Sequence, residues 1–62
     1  MLLRRVERHL RRFDVPPARF GSEALQDPRF VFDLRAGREP RPRTVARVDA
    51  YIARIEAEEV QS

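Results

Sequence analysis

Arg29, Phe32 and Asp33 lie within one helical turn of each other in the stretch Asp27-Pro28-Arg29-Phe30-Val31-Phe32-Asp33-Leu34-Arg35-Ala36-Gly37. The Arg guanidinium is a planar fork that can give two parallel hydrogen bonds to guanine, the commonest specific contact in the major groove of DNA. Asp33, one turn later, can hold Arg29 in that pose or accept a hydrogen bond from a cytosine amino group. As a bare exposed ion pair the two would contribute little. Phe32 can touch a thymine methyl, and an exposed ring is equally a sign of a protein-binding surface. Phe30 lies nearer the apolar side of the stretch, where burial competes with base contact.

A second set of cations follows at once. Arg38, Arg41 and Arg43 stand among Pro40 and Pro42, whose rings hold the chain extended and present the side chains outward. With Arg35 they suit phosphate contacts, which position a protein without reading sequence. The plainer reading is a solvated connector. All thirteen basic residues are Arg and none is Lys. Codon bias explains that as well as function does, yet every positive charge is then a fork shaped for phosphate or guanine.

Catalysis has little to work with. His9, Ser22, Thr44 and Ser62 have no nucleophile–base spacing, and there is no cysteine and no glycine-rich phosphate loop. Glu56, Glu58 and Glu59 read as a helix surface before they read as a metal site. The chain is expected to be no enzyme and to carry no cofactor.

The elements that must position these residues are helices. Asp27 can cap the central one, Pro28 suits its first position and Gly37 its left-handed stop, which predicts a helix over 28–36. Val31 and Leu34 share its inner face, while Arg29, Phe32, Asp33 and Ala36 point outward. So short a helix cannot stand alone, and its neighbours must hold it.

Leu3, Val6, Leu10 and Phe13 set one apolar stripe on a first helix over 2–13. Its other face carries Arg4, Arg5, Arg8, Arg11 and Arg12, for which a solvated surface, phosphate attraction and a membrane-surface helix are all open readings. Pro16 and Pro17 stop that helix and Pro17 opens a second, over about 17–25, with Phe20 and Ala24 inward and Val15 beneath. Gly21 in mid-helix implies a close approach that a side chain would block. Leu25-Gln26 is a link short enough to force a steep crossing, the helix-turn-helix geometry. Thr44 is the expected cap of a last helix over 45–59, with Val45, Val48, Ile52 and Ile55 as its stripe. Tyr51, Ile55 and Val60 could extend into a partner surface and make this helix the dimerisation element. Its acidic end should point away from DNA.

Sixty-two residues, 42% hydrophobic and 37% charged, make one small domain near the lower limit for a single core. A net charge of +3 is compatible with nucleic acid binding. No apolar run approaches the roughly 20 residues of a membrane span. The first residues are too charged for a signal peptide, so a cytoplasmic, nucleoid-associated protein is expected.

From Asp14 to Ile52 the sequence resembles the phage-repressor-like (Xre/Cro-type) helix-turn-helix family. The apolar–small pair Phe20-Gly21, the residues Val31 and Leu34 before Gly37, the basic proline loop and the stripe Val45, Val48, Ile52 all fall in register with it. The resemblance implies an all-α, compact four-helix domain of the lambda-repressor-like kind. It places the family's base-reading positions on Arg29, Phe30 and Asp33 with Phe32 nearby, and its phosphate-contacting positions on Pro17, Arg38, Arg41 and Arg43. Arg19 and Arg35 complete the expected phosphate set. Four positions depart from the pattern. Pro17 stands where a polar residue usually opens the second helix, and it has no amide hydrogen to give a phosphate. Leu25 stands where the turn usually has Gly, which would strain a left-handed Leu. Arg35 and Leu10 stand where the family has a buried ion pair, so that pair is expected to be missing.

The reading is a bacterial or phage transcription regulator that binds double-stranded DNA, expected as a homodimer. The alternative is a protein-interaction module on the same fold. It would be an adaptor on RNA polymerase or an inhibitor of another regulator, using Phe30, Phe32 and the acidic last helix.

Overall fold

The computed structural model describes residues 2–61, with side chains from 2 to 59, and among these residues it contains four helices and no strand. They are α1 (Leu2–Phe13), α2 (Pro17–Leu25), α3 (Phe30–Arg35) and α4 (Pro42–Gln61). Each of the first three is stopped by a residue with positive φ. Asp14 (φ 53°) follows α1, and the Val15 amide donates back to the Leu10 carbonyl at 3.0 Å. Gln26 (φ 57°) follows α2, and its amide donates to the Ser22 carbonyl at 2.9 Å. Gly37 (φ 96°) follows α3, with Gly37 N–H on the Leu34 carbonyl and Arg38 N–H on the Asp33 carbonyl, both 3.0 Å. That pair of bonds is a Schellman cap.

The stop after α2 corrects one expectation. Leu25 is the last residue of that helix, and the left-handed position falls on Gln26. The anticipated Leu strain does not arise, because a residue with its side chain in solvent takes the turn instead. Left-handed backbone is still unfavourable for a residue with a Cβ. Gln26→Gly is therefore expected to raise stability by about 0.5–1 kcal/mol, read as a higher urea midpoint at unchanged slope. A lower midpoint would show that the Gln side chain itself supports the turn.

Two boundaries moved. α3 begins at Phe30, not Pro28, because residues 28 and 29 form a turn held by Asp27. The Asp27 carboxylate accepts from Arg29 N–H and its carbonyl from Phe30 N–H, each at 3.1 Å. α4 begins at Pro42, three residues before the expected Val45. A proline at the first helical position lacks only an amide that would have no partner there. The first ladder bond, Val45 N–H to the Arg41 carbonyl at 3.0 Å, then closes normally. Arg43 and Thr44 consequently lie within the first turn, and Thr44 is not the cap.

Every helix contributes to one core of Val6, Leu10, Phe20, Phe30, Val31, Leu34, Val48 and Ile52. Leu3, Phe13, Val45 and Ile55, the outer members of the expected stripes, are only partly buried. Close backbone approaches join α2 to α3, α2 to α4 and α1 to α3. Side chains bridge α1 to α4: Arg5 reaches Asp49 at 2.8 Å and Arg12 reaches Glu59 at 3.0 Å. Both partners' numbers rise together, so α1 and α4 run in the same direction along this edge.

Gly21 shows why a glycine stands inside α2. A Cβ there would overlap the carbonyl oxygen of Asp27 and come within 3.3 Å of the Phe30 Cβ. The Asp27 amide meanwhile donates to the Gly21 carbonyl at 3.1 Å. The close approach inferred from sequence is real, and it comes from the turn as much as from the next helix.

Candidate nucleic-acid interface

The outer surface of α3 and the loop behind it are built by the two caps. Val31 and Leu34 anchor the inner face, which leaves Arg29, Phe32 and Ala36 exposed. Phe32 is the one exposed large hydrophobic residue among those described, 50% accessible, and the Arg35 guanidinium lies 5.9 Å from its ring centre. Phe30 points the other way. It is 6% accessible in the core, so it is withdrawn from the base-contact set.

Asp33 does not hold Arg29. Its carboxylate is 3.4 Å from the Arg38 guanidinium, and the Asp33 carbonyl also takes the Arg38 amide in the Schellman cap. The cap brings residue 38 back over residue 33, which is why this partner prevails. Arg29 makes no side-chain hydrogen bond or ion pair among the described residues. Its guanidinium is free.

The loop after Gly37 folds back along α3. A cleft of about 390 Å³ is lined by Asp27, Phe30, Asp33 and Leu34 on one side and by Arg38, Glu39, Pro40, Arg41 and Thr44 on the other. Arg41 and Arg43 are exposed and, like Arg47 one turn further into α4, have no carboxylate partner among the described residues. Arg47 was not singled out in the sequence. Its signal was the i, i+4 spacing from Arg43, which only matters once the helix begins at Pro42.

Besides Arg38, which faces Asp33, two further members of the expected phosphate set have carboxylate partners. Arg35 grips Glu7 of α1 with both arms of its fork, Nε to Oε2 and Nη2 to Oε1, each at 2.8 Å. The hydrogen bonds from Arg35 hold the Glu7 carboxyl below its ordinary range, against a smaller opposing effect of burial. An α1–α3 ion pair therefore exists, with the acid on α1 and the base on α3. Glu7 thus pairs with Arg35 across the helix contact, and Arg11 on its own helix acts on it only electrostatically. Arg19 pairs with Glu23 at 3.4 Å on the surface of α2 and remains largely exposed.

The expected dimer surface is reduced too. The Tyr51 ring packs edge-on against Phe20 at 5.6 Å, and its hydroxyl donates to Glu23 at 3.3 Å. Burial and the Glu23 carboxylate both raise the Tyr51 pKa. Tyr51 thus belongs to the edge of its own core and leaves the dimer set. Ile55 is half-buried, and the Val60 side chain lies outside the described residues.

His9 is 4% accessible, with Phe13, Phe20 and Tyr51 around its ring at 4.7, 5.3 and 6.3 Å. Its Nδ1 has no hydrogen-bond partner. Burial lowers its pKa below 6.5, while Glu56 pulls it up and Arg12 pushes it further down. Desolvation is the largest of these causes. A neutral buried His binds a proton less readily than it does in the unfolded chain. Its contribution is thus complete above pH 6.5 and is lost as pH falls below that value. Wild-type stability is expected to decline on acidification from pH 6.5, and His9→Phe to flatten that decline. A parallel decline in both would remove His9 as its cause.

No group of three or more metal-ligating side chains occurs among the described residues, and no helix there is long and apolar enough to cross a membrane. Comparison of the chain with protein families, curated proteins and solved structures returns no match.

Proposed function

We propose that this chain binds double-stranded DNA as a small helix-turn-helix transcription regulator, with α3 entering the major groove. The observation that carries this reading is the placing of uncommitted arginines. Arg29, Arg41, Arg43 and Arg47 border α3 and the start of α4 without a carboxylate partner; Arg5, Arg12 and Arg35 are paired between helices, and the unpaired Arg4, Arg8 and Arg11 form a separate group on α1. Arg29 reads a guanine, and Phe32 covers a neighbouring thymine methyl. Arg38, Arg41 and Arg43 take phosphates. Arg38 meets Asp33 through one guanidinium nitrogen at 3.4 Å, which offsets that carboxylate in part and leaves the other arms of the fork for a phosphate.

Selection of binding sites from random duplex DNA tests this, with Arg29→Ala run at the same salt. A guanine-containing motif that Arg29→Ala relaxes, at a cost of about 1–3 kcal/mol on the cognate site, is the expected result. An inverted repeat in the motif would mark binding by two copies. Failure to enrich any motif would end the claim of sequence reading by α3.

One observation favours a second reading. Phe32 is half exposed with a cation above it, a combination common at protein-binding surfaces. If duplex DNA is not bound at all, a protein-interaction module centred on Phe32 takes precedence. The acidic helix end is a weaker support for it, because Glu59 pairs with Arg12.

A further inference from the structure

We propose that the groove beside the first turns of α1 is a docking site for an acidic, amphipathic segment of another protein. The groove, about 810 Å³, is lined by Leu2, Leu3, Arg4, Arg8 and Arg11 of α1 and reaches Val45 of α4. Arg5, Glu7 and Asp49 also border it; Arg5 and Asp49 pair with each other within the lining, and Glu7 is held by Arg35. What remains is three cations and three partly buried aliphatic side chains. Arg4, Arg8 and Arg11 have no ion pair among the described residues, and spacings of four and three put them on one side of the helix.

This arrangement decides the chemistry of the occupant. Leu2, Leu3 and Val45 gain from being covered only by apolar groups, which a phosphate backbone does not bring. Glu7, whose fork partner is Arg35, offsets the three like charges at i, i+4 and i+7 only in part, and further carboxylates set between them would relieve their repulsion. A helix with Leu on one face and Glu flanking it satisfies both demands. The groove is lined by residues other than those of the α3 surface, so the inference does not depend on DNA binding.

The test uses the full chain and a fluorescein-labelled synthetic helix with Leu at every third or fourth position and Glu between, followed by anisotropy. One control peptide replaces Glu by Gln and another replaces Leu by Ser. The labelled helix is expected to bind more tightly than either control. Arg8→Glu is expected to weaken it at least about tenfold through like-charge contact, while Arg29→Ala leaves it unchanged. Arg8 is exposed, and Glu at that position can pair with Arg4 and Arg12, so folding should be kept; an unchanged urea midpoint verifies it. Arg4→Glu gives a second variant if Arg8→Glu does not fold. Equal binding of the Ser control would overturn the proposal, because charge alone would then suffice. Loss of duplex DNA binding in Arg8→Glu without any peptide binding would overturn it in favour of nucleic acid. Concentration-dependent self-association abolished by Arg8→Glu, again without peptide binding, would overturn it in favour of a second copy.

Discussion

Gly21→Ala is expected to destabilise the domain by about 1–3 kcal/mol, a large part of what so small a chain can have. In an ordinary helix interior the same change stabilises by about 1 kcal/mol, because Ala is the better helix former. The sign is reversed here by one atom. A Cβ at position 21 would overlap the Asp27 carbonyl oxygen, and backbone cannot swing aside as a flexible side chain would. That oxygen is also fixed, since it accepts the Phe30 amide at 3.1 Å. Relief would require opening the turn between α2 and α3, which carries Phe30 and Val31 into the core. Urea unfolding followed by circular dichroism measures the difference. A midpoint equal to or above wild type would mean that the turn yields freely and that α3 is not held as described.

The second large effect concerns the arginines behind α3. Affinity for duplex DNA is expected to fall steeply as salt rises, since each phosphate neutralised releases counterions. Replacing Arg38, Arg41 and Arg43 together by Ala should take nearly three units off the slope of log affinity against log salt, at about 0.9 per phosphate. Near 0.1 M salt that is a loss of about a hundredfold or more. All three side chains are exposed, and only Arg38 makes an internal contact, so the fold should survive. Arg35→Ala should behave differently. Its fork already holds Glu7, and its removal should lower stability at neutral pH with little change in the salt slope. An unchanged slope in the triple variant would put the phosphate contacts elsewhere.

The helices and the middle of each apolar stripe were legible because burial imposes a 3.6-residue period on sequence. Val6, Leu10, Phe20, Val31, Leu34, Val48 and Ile52 were all marked in this way. The stripe ends were less so, as Leu3, Phe13 and Ile55 satisfy the same period while lying near the edge. Gly37 was legible because glycine at a helix end has one common meaning. The stops at Asp14 and Gln26 were not, since neither residue type specifies left-handed backbone; the surrounding chain forces it on them.

Of the candidate site, exposure of Arg29 and Phe32 followed from the face assignment. Partners did not. Asp33 lies one turn from Arg29 in sequence, but the cap brings Arg38 closer. Arg35 and Glu7 are 28 residues apart, and only the packing of α1 on α3 makes them neighbours. His9 stands among arginines in the sequence, yet it lies on the inner face of α1, among the rings of Phe13, Phe20 and Tyr51.

The Gly21 contact also bears on how the chain reaches this state. It joins two helices that are consecutive in sequence, across a link that closes at little entropic cost. Such a contact can form early, before α1 and α4, whose ion pairs span 44 and 47 residues, are brought alongside. The α2–α3 unit is then the natural nucleus, and a defect at Gly21 should slow refolding more than it hastens unfolding. The bridges between α1 and α4 close last. Breaking Arg5–Asp49 or Arg12–Glu59 should shorten the lifetime of the folded state and leave the refolding rate nearly as it was.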